Sequence, residues 1–182
     1  MSTPPAADWL SSEEESTWRA VWAVMTWLPA RLDAQLRTAA GMSLAEYSAL
    51  SQISEAPERT MRLSELGLVA NMNLSHLSRV LSRLEKVGWV ERFPDPADGR
   101  FTLGRLTEEG WRQVEAAAPG HVAAVRRYVF DALTPQQVED LGGAAGVVAR
   151  VVKAPGGGGA DGRSAESRSA QSRSAQGRRS TR

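Results

Sequence analysis

Residues 71–110 read NMNLSHLSRVLSRLEKVGWVERFPDPADGRFTLGRLTEEG, and the first half of this stretch has two faces. At about 100° per residue, Leu74, Leu77, Val80, Leu81, Leu84 and Val87 share one side of a helix. Ser75, Arg79, Ser82, Arg83 and Lys86 share the other, with His76 at its edge. One side suits a core, the other a polar and anionic surface. Asn73 supplies a side-chain oxygen for the first free amides, and Gly88 stands where a left-handed residue ends a helix.

After Gly88 the period shortens. Trp89 to Phe93 reads as a strand, Pro94-Asp95-Pro96-Ala97-Asp98-Gly99 punctuates, and Arg100 to Leu106 reads as the returning strand. A lone hairpin is marginally stable, so this one must lean on the helices before it. Upstream, Arg62 to Val69 makes a short helix, Ala70-Asn71-Met72 a tight connection, and Met61 with Arg62 is placed to add a minor strand to the hairpin. The unit is helix, turn, helix, hairpin, which sets its second helix into a major groove and its hairpin tip on neighbouring backbone or minor groove.

Leu74-Ser75-x-Leu77-Ser78-Arg79, Leu84-Glu85-x-x-Gly88, Asp95-x-x-Asp98-x-Arg100 and Leu106-Thr107-x-x-Gly110 together resemble the winged helix-turn-helix of the MarR (multiple antibiotic resistance regulator) family, over residues 15 to 153. The resemblance implies a mainly α fold with a small β-hairpin wing, terminal dimerisation helices, and aromatic effectors held between those helices and the DNA lobe. The expected protein is a homodimeric repressor of transcription on a palindromic double-stranded operator, its two recognition helices about one turn (~10 bp) apart. A small aromatic or anionic effector would release it.

Ser75, His76, Arg79 and Arg83 are the candidates for base edges, and Arg62, Lys86 and Arg92 for phosphates. Arg100 is the candidate for a narrow minor groove, where negative potential favours arginine. The family often has a second arginine where Gly99 stands, so a weaker or looser wing is expected here. Each residue also has a plainer reading. Arg100 can pair with Asp98 or Asp95, Arg92 with Glu91 or Asp95, and His76 can be a surface residue without a role. Two other functions stay open: a protein-interaction module using the basic helix face, and a DNA-binding regulator without any effector.

Composition narrows the rest. A chain of 182 residues suits one domain with a tail. With no cysteine there is no disulfide framework, thiolate metal site or cysteine redox switch, and His76 and His121 alone have no zinc-ligand spacing. No Gly-rich phosphate loop lies inside a strand-helix unit, so neither a cofactor nor an enzyme is expected. The start, MSTPPAADWLSSEEE, lacks the basic and apolar regions of a secretory signal, and no run approaches the ~18 apolar residues of a membrane span. Cytoplasmic residence is the expectation.

The net charge of +1 conceals an asymmetry. Residues 154–182 hold six arginines against Asp161 and Glu166, a surplus of +4 that leaves −3 on the body. Within that acidic body, residues 59–105 hold eight basic residues against five acidic ones, the footprint of a nucleic-acid surface.

Residues 1–12 are expected to fray. Ser12 and three glutamates open a helix over 13–38, striped by Trp18, Val21, Trp22, Met25, Leu28, Leu32 and Leu36, with a kink at Met25 or Thr26 imposed by Pro29. Trp18, Trp22 and Trp111 read as core or interface, or as the lining of an aromatic effector pocket. Ser43-x-x-Glu46 opens the DNA-binding lobe, 43–106. Another helix begins at Thr107, is broken by Pro119-Gly120, and resumes at His121, a helix cap or a hydrogen-bond partner for an anionic effector. Thr134-Pro135-x-Gln137 opens the last helix, which with 13–38 completes the dimerisation helices at 107–153. Residues 154–182, repeating RSAES, RSAQS and RSAQG, are too poor in apolar groups to order and form a basic tail.

Overall fold

The computed structural model describes residues 9–154. The expected basic tail and most of the expected frayed start lie outside them. Two units are described in turn, divided between Ala132 and Leu133.

The first unit opens with α1 (Ser12–Ala40) and α2 (Leu44–Glu55), followed by a 3-10 turn at Pro57–Arg59, β1 (Thr60–Arg62), α3 (Leu63–Val69) and α4 (Leu74–Lys86). Then come β2 (Val90–Pro94), β3 (Thr102–Leu106), α5 (Glu108–Val125) and a π-turn over Arg126–Phe130. The fold is mainly helical with a small antiparallel sheet of order β1-β3-β2, the winged helix-turn-helix that the resemblance implied. The minor strand is real: Met61 faces Gly104 on β3, and Arg62 faces Leu103.

Each element contributes a few apolar side chains to one core. Leu36, Met42, Leu50, Ile53, Leu66, Leu81 and Leu84 are fully buried there, with Val90, Leu106 and Val114 closing it. α4 is anchored by Leu77, Val80, Leu81 and Leu84, while Leu74 and Val87 of the expected stripe, at the two ends of the helix, are exposed. Asn73 accepts the His76 N–H and Gly88 takes a left-handed φ of 76°, as their positions require. Asn71 also adopts a positive φ, which closes the turn between α3 and α4.

Two expectations need correction, at the cap of α1 and at Pro119-Gly120. The cap of α1 is Ser11, whose hydroxyl accepts the Glu14 N–H while the Glu14 carboxylate returns to the Ser11 N–H, so the box lies one residue earlier than expected. Of the α1 stripe only Leu32 and Leu36 are buried; Trp18, Val21, Trp22 and Met25 are exposed, with the Trp18 and Trp22 rings 5.5 Å apart. Pro119-Gly120 does not break its helix, for α5 runs through to Val125. A Cβ on Gly120 would lie 3.2 Å from Gln35 Nε2, so this glycine permits a close approach of α5 to α1, and that packing outweighs the bond lost at Pro119.

The start of α5 is fixed by a second close approach. Thr107 accepts the Gly110 N–H, donates its hydroxyl to the Gly88 carbonyl at 2.7 Å, and donates its own N–H to the Trp89 carbonyl at 3.1 Å. A Cβ on Gly110 would stand 2.1 Å from that Trp89 oxygen. The second unit, described by itself, is α6 (Pro135–Lys153), with the reciprocal Thr134–Gln137 capping box as expected. No residue of α6 is buried, and Leu141, Val147, Val148, Val151 and Val152 are exposed.

Gly110→Ala forces backbone to move at the wing's root. It is expected to cost at least about 2 kcal/mol, read as a lowered denaturant midpoint at unchanged slope.

Candidate nucleic-acid interface

Burial of one side of α4 leaves Ser75, His76, Ser78, Arg79, Ser82, Arg83 and Lys86 on its exposed side. The hairpin is tied to the end of this helix, since Arg92 Nε on β2 donates to Glu85 Oε2 at 3.0 Å. That partner lies on α4 and is neither of the two considered from sequence. The helix and the hairpin are thereby joined through charged groups.

The hairpin tip is braced from inside. Asp95, 8% exposed, accepts the Ala97 N–H at 2.9 Å through Oδ1 and pairs with Arg62 through Oδ2 at 2.7 Å. The Ala97 N–H and then the Arg62 guanidinium hold the Asp95 carboxyl below the usual range, against the opposing effect of burial. Arg62 also lies over the Phe101 ring at 4.5 Å. Arg62, expected on phosphate, is thus held as a brace of the wing. Arg100 stays exposed and pairs with Asp98, the plainer of its two expected partners. Its guanidinium lowers the Asp98 carboxyl and is itself raised.

The basic candidates therefore differ in freedom. Among the described residues Arg79 and Lys86 have no ion-pair partner, whereas Arg62, Arg83, Arg92 and Arg100 each have a carboxylate. Arg83 is paired with Glu46 of α2, Nε to Oε1 at 2.8 Å. Glu46 was legible only as a capping-box acid; its contact with α4 depends on how two helices cross, for which the sequence carries no signal. Serines, one histidine and guanidinium groups on an exposed helix offer donors at the spacing of base edges and phosphates.

A separate polar junction lies where α1, α2 and α5 meet. His121 stands within α5, not at a cap, and its ring lies 4.5 Å from Tyr47. Its Nδ1 and the Gln35 Oε1 are buried without a hydrogen-bond partner among the described residues. Burial pushes the His121 imidazolium pKa below its usual value. Trp111 lies instead beneath Arg59, 4.1 Å from the ring centre. No group of three or more metal-ligating side chains occurs among the described residues.

Because the folded His121 resists a proton that the unfolded chain accepts near pH 6.5, its contribution to stability is complete above that pH and declines below it. Between pH 7.5 and 5.5 the melting temperature of the wild type is expected to fall more than that of His121→Gln.

Comparison with known proteins follows the same lines. The MarR family profile matches residues 42–102, from just before α2 to the first residue of β3. Sco3205 of Streptomyces coelicolor, a MarR family transcriptional regulator solved in complex with DNA, is 42% identical; the match covers 80% of this chain and 91% of that one, with a TM-score of 0.75. AbsC, also a MarR family transcriptional regulator of Streptomyces coelicolor, is 31% identical over 81% of this chain and 99% of its own, with a TM-score of 0.76. An uncharacterised HTH-type transcriptional regulator of Mycobacterium bovis is 34% identical over 90 residues, and this chain spans 62% of its length. The fold is shared at an identity and coverage that leave one assignment: the chain belongs to the MarR family.

Proposed function

We propose that this chain is a sequence-selective DNA-binding regulator of transcription, a homodimeric repressor acting on a palindromic operator. The observation that carries the reading is the exposed side of α4, where Arg79 stands among serines with no ion-pair partner among the described residues, on a scaffold 42% identical to a relative solved with DNA. Ser75, His76, Arg79 and Arg83 face base edges. Lys86 and Arg92 meet phosphates, Arg62 serves the wing through Asp95, and Arg100 enters the minor groove by exchanging Asp98 for DNA. Such a regulator works in the cytoplasm, beside the chromosome.

Two copies are needed to read two half-sites; in the first unit the exposed Trp18, Trp22 and Met25 of α1, and in the second the exposed apolar residues of α6, each offer surface for a second copy. We place a small aromatic effector at the α1–α2–α5 junction, where Tyr47 offers a ring and where a donor on the effector would complete the Gln35 Oε1 that, with His121 Nδ1, has no hydrogen-bond partner among the described residues. It releases DNA only by favouring a dimer whose helix spacing misfits the operator.

An operator selected from a random duplex pool is the test. Arg79→Ala is expected to weaken binding to it by about 1–3 kcal/mol and to relax preference at the contacted base; unchanged affinity removes Arg79 from the reading set. Deleting residues 134–182 is expected to give monomers or aggregates by light scattering, and a well-folded dimer refutes the role of α6.

A further inference from the structure

We propose that Glu46 is a positioning residue for Arg83, fixing the guanidinium of the recognition helix in the orientation in which it meets DNA and tying that orientation to the seat of α1. The inference rests on the DNA-reading role of α4. Its geometry is asymmetric. Glu46 is 4% exposed, whereas the Arg83 side chain is 59% exposed, so one end of the ion pair is fixed in protein and the other opens to solvent.

The two carboxylate oxygens have separate duties. Oε2 accepts the Ser43 N–H at 2.7 Å and the Ser43 hydroxyl at 2.9 Å, which immobilises the group at the N-terminus of α2. Oε1 meets Arg83 through Nε, the nitrogen nearest the main chain, at 2.8 Å, on a side chain that is itself 59% exposed. α2 is held in turn by α1: the Leu44 N–H donates to Asp33 Oδ1 at 2.8 Å, and Arg37 Nε donates to Asp33 Oδ2 at 2.6 Å. A line of polar contacts thus runs from α1 through the cap of α2 to a reading side chain on α4.

Stability alone does not explain the pair. An ion pair with one partner this exposed adds little to folding. A cavity of about 230 Å³ lies beside it, lined by Ala40, Gly41, Leu84, Val87 and Trp89, so an untethered Arg83 has room to swing away. An arginine oriented before DNA arrives loses less rotamer freedom on binding, and its planar fork makes orientation matter more than for lysine. Arg79 has no such tether.

Glu46→Gln in the full chain keeps the acceptor for Ser43, since glutamine also serves a capping box, and removes the charge that holds Arg83. Affinities are measured for the selected operator and for a random duplex of equal length. Glu46→Gln is expected to weaken operator binding about 3- to 10-fold while random-duplex binding is unchanged or stronger. In an Arg83→Ala background it adds no further loss. Arg83→Lys, which leaves α2 untouched, is expected to lose operator preference while keeping random-duplex affinity. Wild-type operator affinity for Glu46→Gln and Arg83→Lys, with Arg79→Ala still weakened, overturns the positioning role and leaves the reading face standing. Equal losses on both duplexes also overturn it, because they mark a displaced helix. If Arg79→Ala has no effect either, both readings fall.

Discussion

Burial of Leu77, Val80, Leu81 and Leu84 under α2 is the constraint from which the candidate surface follows. Each such side chain is worth about 1.5–3 kcal/mol when taken fully from water, far more than any single exposed ion pair. The rotation of α4 is therefore set by its underside. With 3.6 residues per turn, that rotation commits Ser75, Arg79, Arg83 and Lys86 to solvent whatever their own preferences.

Carboxylates then decide how the positive groups are held. Glu46, Glu85, Asp95 and Asp98 each take one arginine from the set that surrounds the α4 face and the wing. Buried or half-buried acids act as fixed posts: Asp95 is itself pinned by the Ala97 N–H before it meets Arg62, and Glu46 by Ser43 before it meets Arg83. The result is a surface on which some guanidinium groups have a defined aim and others, Arg79 first, can adapt. Pairing also limits the local excess of positive charge, which favours selective contact over the indiscriminate attraction of a bare basic patch.

Much of this was legible in the chain because it is encoded locally. The two faces of α4, the Asn73 cap, the left-handed Gly88 and the capping boxes at Ser43 and Thr134 all depend on residues a few positions apart. What escaped depends on distant partners. Pro119-Gly120 looks like a break because only the packing of Gln35 against Gly120 reveals why a helix would pass through it. Leu74 and Val87 fit the apolar period yet stay exposed at the ends of α4. The identities of ion partners, Arg62 with Asp95 and Arg83 with Glu46, are set by crossings that no periodicity reports.

The placement of α1 links these observations. Asp33, which holds the first amide of α2, and Gln35, whose carbonyl oxygen is buried without a partner, are two residues apart on one turn of that helix. An unsatisfied acceptor and an unsatisfied imidazole nitrogen are costly when buried, so a molecule that completed them would gain affinity from the penalty it relieves. Its contacts would fall on the same turn of α1 that fixes the cap of α2, and α2 in turn fixes Arg83 through Glu46. Only differential binding can move such a system: a ligand that favours no particular placement of α1 leaves the arginine where it was.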